Sequence, residues 1–314
     1  MSFLTLSILI AVLVLSAILG LSYYAFRLTF LAPDHLDENH YFDPEGPQYD
    51  ALRKEIKLTV ARMAERPYER IIISSFDKTK LSARYYHVSD SAPVQILFHG
   101  YKSSPLLDCS GGTYFSQMIG HNTLVVDQRS HGASEGNVIT FGIKERKDCV
   151  CWVQYVIHRF GSKVPIFLSG LSMGASTVLM SMDQKLPSNV KGIIADCPYV
   201  SPKEIIMKVG KDRGFPPRLM YPFVWLSAAI WGQFNLEESN ALDAVKSSSI
   251  PILLIHGEED YFVPCEMSKQ LYNTDQKRIT LLTIPGAGHG LSYLIDPDAY
   301  EHALMEFIKK NLSQ

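Results

Sequence analysis

Ser172 stands in Gly170-Leu171-Ser172-Met173-Gly174, a G-x-S-x-G pattern that directly follows the apolar run Pro165–Ser169. A helix-forming stretch opens at Met173. A serine hydroxyl is a weak nucleophile until a neighbouring base takes its proton, and the base needs an acid to orient it. Two later loops carry those residue types. His256-Gly257-Glu258-Glu259-Asp260 follows Pro251–Ile255, and Pro285-Gly286-Ala287-Gly288-His289-Gly290 follows Ile279–Ile284. Ser172, Asp260 and His289 occur in the chain order that a strand-turn-helix nucleophile elbow requires. Asp260 is read as the acid ahead of Glu258 and Glu259 because it lies deeper in its loop. His256 follows its strand at once and is read as structural. The chemistry expected is acyl transfer through a Ser-His-Asp triad.

Such chemistry also needs donors aimed at the developing oxyanion. The elbow supplies the backbone N–H of Met173. A second donor should come from the loop after an early strand, and His99-Gly100-Tyr101 follows Val94–Phe98. Gly100 permits close backbone approach, so the Tyr101 N–H is the second candidate. Other chemistries lack their residues. There is no H-E-x-x-H zinc pattern and no G-x-x-x-x-G-K-[ST] phosphate loop. The glycines around His289 lack the third glycine of a dinucleotide loop, since position 291 is leucine. Cys149 and Cys151 sit two apart on an expected helix and diverge. No metal and no cofactor are expected.

The elements that must position these residues follow a strand-helix rhythm. Arg70–Ser75 and Leu81–Val88 read as a hairpin. Val94–Phe98, Thr123–Val126, Pro165–Ser169, Gly192–Ala195, Pro251–Ile255 and Ile279–Ile284 read as strands buried on both faces. Helices are expected over Gly142–Arg159, Met173–Gln184, Glu266–Asn273 and Pro297–Asn311. This alternation predicts a three-layer α/β fold. Residues 199–242 break the rhythm with an aromatic-rich, helical insertion, read as a cap over a pocket or as a buried helix pair.

Together these motifs resemble the α/β-hydrolase fold superfamily. The stretch Asp127-Gln128-Arg129-Ser130-His131-Gly132-Ala133-Ser134-Glu135-Gly136 is similar to a loop of its serine aminopeptidase-like and monoglyceride-lipase-like branch. The resemblance implies a mostly parallel eight-stranded sheet between helices, with a helical cap after strand six. Asp127 and Arg129 are read as shaping their loop. The three-glycine oxyanion motif of some esterases is absent, since Tyr101 and Lys102 follow Gly100. A serine at the elbow disfavours the dehalogenase and epoxide-hydrolase chemistry that an aspartate there would imply.

The N-terminus is different material. Met1–Phe26 contains no Asp, Glu, Lys or Arg. As a helix, residues 3–26 would span about 36 Å at ~1.5 Å per residue, against about 30 Å of bilayer hydrocarbon. A buried core helix and a cleaved signal peptide are the alternatives to an uncleaved transmembrane anchor. The signal reading lacks a basic residue before the apolar run. Tyr23, Tyr24 and Arg27 would then lie at one interface, and the basic flank places the body on the cytoplasmic side. Residues 27–66 read as a linker, centred on 32–49, and a lead-in helix over Tyr49–Arg66. Residues 67–314 form the hydrolase domain.

Across 314 residues, 30 Lys+Arg against 32 Asp+Glu give a net charge of -2, which speaks against nucleic acid as a partner. The five cysteines, Cys109, Cys149, Cys151, Cys197 and Cys265, are odd in number and read as reduced. The function expected is a membrane-anchored serine hydrolase cleaving an ester or related acyl bond of a small, apolar acyl substrate. Carboxylic-ester hydrolysis is favoured. Peptidase, thioesterase or acyltransferase action on the same triad, and a non-catalytic membrane scaffold, are the alternatives.

Overall fold

The computed structural model describes residues 2–33 and 46–313; most of the expected linker, 34–45, lies outside the described residues. The strands are β1 (Glu69–Ser74), β2 (Lys80–Tyr86), β3 (Val94–Phe98), β4 (Asn122–Val126), β5 (Ile166–Leu171), β6 (Val190–Asp196), β7 (Ile252–Gly257) and β8 (Ile279–Ile284). They form one eight-stranded sheet in the order β1-β2-β4-β3-β5-β6-β7-β8. β2 runs antiparallel to both neighbours, while β3 to β8 are parallel.

The helices are α1 (Phe3–Thr29), α2 (Pro47–Asp50), α3 (Arg53–Ala64), α4 (Pro105–Asp108), α5 (Ser110–Met118), α6 (Glu145–Phe160), α7 (Met173–Met180), α8 (Pro202–Asp212) and α9 (Pro217–Ile230). α10 (Ala241–Lys246), α11 (Glu266–Tyr272), α12 (Ser292–Ile295) and α13 (Pro297–Leu312) complete the set. The expected helix over Met173–Gln184 tightens into a 3-10 turn at Ser181–Gln184. α4, α5, α12 and most of α10 fall outside the expected helices.

The strands read as continuous apolar runs because both faces of the sheet are covered. Ile96 and Phe98 of β3 face a core shared with Trp152 and Val156 of α6 and Val178 and Leu179 of α7. Their neighbour Leu97 points the other way, towards Ile56 and Val60 of α3. Further along the sheet, Phe167, Ile194 and Leu253 pack on Phe115 of α5 and Phe307 of α13. Residues alternate across a strand, so one run of apolar side chains serves two layers.

The insertion after β6 is helical: α8 and α9 lie over the sheet's C-terminal edge. α1 is long and apolar enough to cross a membrane. Its outer turns are exposed, whereas Ser22, Ala25 and Phe26 are buried. The helix runs three residues past the expected end at Phe26.

Candidate active site

The parallel strands all end at one edge, and the loops leaving that edge carry the candidate residues. β5 delivers Ser172 into a turn with φ 56° and ψ -115°. This is a sparsely populated conformation for a non-glycine residue. The flanking glycines make the turn feasible. A Cβ on Gly174 would lie 2.5 Å from the Phe98 carbonyl carbon, and one on Gly170 would lie 2.5 Å from Ala175 N. The Ser172 N–H donates to the Asp196 carbonyl at 2.9 Å, fixing the turn against β6.

The structure brings the three expected side chains together. The Ser172 hydroxyl lies 3.0 Å from His289 Nε2, and His289 Nδ1 lies 2.7 Å from Asp260 Oδ2. Both are hydrogen bonds, with Nδ1–H donating to the carboxylate. Asp260 Oδ1 accepts the Phe262 and Val263 N–H groups at 2.9 and 2.8 Å. Burial alone would raise the Asp260 carboxyl, but hydrogen bonds and charge from His256 and His289 outweigh it and hold the group well below the usual carboxylate range. Glu258 and Glu259 are exposed. His256 is fully buried, with Nδ1 on Ser268 Oγ at 2.7 Å and Nε2 donating to Val263 O at 2.8 Å.

The two oxyanion candidates lie on either side of the nucleophile. Met173 is the first residue of α7, where backbone N–H groups have no intrahelical acceptor. Gly100 is close enough that an added Cβ would sit 3.4 Å from Ser172 Cβ. The Gly100 N–H donates to Asp108 Oδ2 at 2.6 Å, and the Lys102 N–H to His131 Nε2 at 3.1 Å. Between them, the Tyr101 N–H has no acceptor among the described residues.

The Asp127–Gly136 loop holds this segment. Gln128 Nε2 donates to His99 O at 2.5 Å, and the Gln128 N–H donates to His99 Nε2 at 3.1 Å. Burial holds both His99 and His131 below the ordinary imidazole range, so each is neutral and can accept. Arg129 anchors the loop through Asp148 at 2.6 Å and Asp77 at 2.9 Å.

Several contributors carried no sequence signal. Asp108, on the unexpected helix α4, clamps the oxyanion loop. Tyr49 OH donates to the His289 carbonyl at 2.9 Å. Cys197 Sγ lies within 4.8 Å of ligand atoms of Asp260 and His289, a set that could hold a metal by residue type. Both His289 nitrogens already bond to Ser172 and Asp260, however, and burial pushes the Cys197 thiol up, away from the thiolate a metal needs.

Two cavities reach Ser172. One, of about 270 Å³, is the more polar and includes Tyr49, Asp108, Asp196, Tyr293 and Tyr300 in its wall. The other, of about 390 Å³, lies beneath the cap and is walled by Ile205, Met220 and Val224, with Tyr24, Ala25, Leu28 and Thr29 of α1 on its flank.

The chain is similar to known proteins. Residues 140–314 match the model of the prolyl oligopeptidase family. The chain is similar to the uncharacterized protein YqkD of Bacillus subtilis, 24% identical over 226 residues, covering 71% of this chain and 74% of that protein. It is also similar to the lysophosphatidylserine lipase ABHD12 of Danio rerio, 26% identical over 210 residues, covering 61% of this chain and half (50%) of that protein's length. The esterase Pf2001 of Pyrococcus furiosus shares the fold, with a TM-score of 0.63 at 23% identity over 86% of this chain and 98% of the esterase. The matched region runs from before the nucleophile elbow to the C-terminus and includes Ser172, Asp260 and His289, and on that ground the chain belongs to the prolyl oligopeptidase family and is a hydrolase of the α/β-hydrolase type.

Proposed function

We propose that the protein is a membrane-anchored serine hydrolase that cleaves a carboxylic ester or related acyl bond through an acyl-enzyme. The observation that carries this reading is the unbroken chain Ser172 Oγ, His289, Asp260 at 3.0 and 2.7 Å. Ser172 Oγ attacks the acyl carbonyl carbon while His289 Nε2 takes its proton. The ionised Asp260 holds the ring and steadies the imidazolium. The N–H groups of Tyr101 and Met173 stabilise the oxyanion, each worth about 3–4 kcal/mol in the transition state. His289 then returns the proton to the leaving oxygen, and water repeats the sequence to free the acid.

The apolar cavity under the cap supports an apolar acyl group, and the lipase named among the relatives supports an ester in an amphiphile. The length and exposure of α1 support a single membrane span, with the hydrolase domain on the cytoplasmic side by its basic flank. A peptidase reading draws on the family match and on the half-buried Asp108 and buried Asp196 in the smaller cavity, which could meet an amine. Turnover of p-nitrophenyl esters against aminoacyl p-nitroanilides separates the two. Ser172→Ala should lower p-nitrophenyl butyrate hydrolysis by at least about 10³-fold and remove labelling by a fluorophosphonate probe. Undiminished turnover in the purified variant would refute the assignment.

A further inference from the structure

α1 has two halves that behave differently. Phe3 to Ser22 is twenty residues, about 30 Å of helix, which equals the hydrocarbon thickness of a bilayer. Beyond that length the helix is built into the hydrolase domain. Trp231 Nε1, at the end of the cap, donates to Ser22 Oγ at 3.1 Å. The Tyr23 ring meets Trp231 edge-on at 5.1 Å. Phe30, fully buried, is edge-on to Phe141 and Phe234 at 5.8 and 5.3 Å. Tyr101 OH donates to Thr29 O at 2.8 Å. The residue whose N–H is offered to the oxyanion is thus tied by its side chain to the end of the membrane-length helix.

The wall that this docked end contributes to the larger cavity consists of Tyr24, Ala25, Leu28 and Thr29, and the same cavity reaches Ser172. Its volume, about 390 Å³, lies within the range of small-ligand sites. Trp225, Ile230 and Trp231 of the cap are exposed beside this junction or on the helix leading to it. Aromatic side chains of this kind settle at membrane–water interfaces.

Resting on the reading of Ser172 as nucleophile, we propose that the last turns of α1 are a specificity-determining wall of the acyl site. The substrate class is long-chain acyl esters, drawn from the bilayer along α1 rather than from bulk water. A chain already in hydrocarbon gains nothing from merely leaving water. Discrimination must therefore come from fit against the wall, and Ala25 and Leu28 are the residues whose size sets that fit.

The test uses the full-length chain in phosphatidylcholine nanodiscs, with p-nitrophenyl butyrate, dodecanoate and hexadecanoate as substrates. Ala25→Phe and Leu28→Trp fill the cavity and should lower the dodecanoate-to-butyrate ratio of kcat/KM at least tenfold. Leu28→Ala opens it and should raise the hexadecanoate-to-dodecanoate ratio at least threefold. Opposite shifts of this kind cannot come from misfolding. All three ratios remaining within twofold of the parent would overturn the proposal. A second measurement needs no turnover: in the Ser172→Ala background, Ala25→Phe should weaken binding of a nitrobenzoxadiazole-labelled dodecanoate at least tenfold, and unchanged binding would likewise overturn it. Should Ser172→Ala keep its esterase activity, the nucleophile assignment fails by itself, and the binding measurement still decides the wall.

Discussion

At Asp260, burial and hydrogen bonding pull in opposite directions, and hydrogen bonding wins. Its carboxyl is depressed in the folded state. The stability it contributes is therefore fully present above the unfolded value near 4 and is lost as pH falls through the folded value. Asp260→Asn keeps the size but presents the wrong partner to His289 Nδ1–H. The expected loss in kcat is about 10⁴-fold with little change in KM, read by steady-state ester hydrolysis; a loss under tenfold would assign the acid elsewhere. Asp196 is the opposite case. Burial pushes its carboxyl up to about 6, with His256 and the Tyr300 hydroxyl only partly offsetting it. Oδ1 of Asp196 has no partner among the described residues. A raised carboxyl binds more protons folded than unfolded, so stability falls as pH rises from about 4 to 6. Asp196→Asn, which can still accept from Tyr300, should raise the Tm at pH 8 by an amount corresponding to at most about 3 kcal/mol and leave it nearly unchanged at pH 4. Thermal melts of the pair across that range check the sign, and equal shifts at both pH values would count against it.

At the scale of elements, the elbow is held by absence of side chain. Gly174 lies against the carbonyls of Phe98 and His99, where an added Cβ would sit 2.6 Å from the His99 oxygen. These atoms are backbone and cannot rotate away. Gly174→Ala should cost at least about 2 kcal/mol in urea unfolding. Gly210→Ala on α8, where a Cβ meets nothing within 4 Å, should stabilise by about 0.4–1 kcal/mol. Comparable effects at the two positions would remove the steric account. The same packing explains which elements were legible. The inner parallel strands announce themselves because they are apolar on both faces, as in β3, β4 and β7; β8, at the sheet edge, was expected buried on both faces but is only partly so. The elbow announces itself because its geometry fixes three residues, Gly170, Ser172 and Gly174, within five consecutive positions. α5 stayed hidden because Gly111 and Gly112 weaken its helix signal, yet a Cβ on Gly112 would meet Leu97 at 2.7 Å. Close approach to the sheet, not propensity, selects glycine there. Asp108 was hidden with it, since a lone aspartate on a four-residue helix has no motif around it.

At the scale of the whole molecule, α1, the cap and the oxyanion loop form one packed unit. The length and apolar character of α1 could be read from composition, but its docked end could not. A helix apolar all round carries no signal for which face is buried. The small residues Ser22 and Ala25 show their purpose only against Trp231 and the cavity. If the unit is held as described, the tie at Trp231 should control how often the inner end of α1 opens. Trp231→Ala removes the hydrogen bond to Ser22, worth about 1 kcal/mol, and the ring contact with Tyr23, worth about 0.5–1.5 kcal/mol. Together these correspond to roughly a ten- to sixtyfold rise in local opening at 1.4 kcal/mol per decade. Hydrogen–deuterium exchange on the chain in nanodiscs should show that acceleration over residues 25–31, while β5 and β6 exchange as in the parent. Acceleration spread evenly through the sheet would mean that Trp231 supports the global fold, and no acceleration would mean that α1 is held by its other ties, the buried Phe30 ring and the Tyr101 hydrogen bond among them. The local pattern is expected because the indole touches α1 at its surface, whereas Phe30 is fully buried behind it.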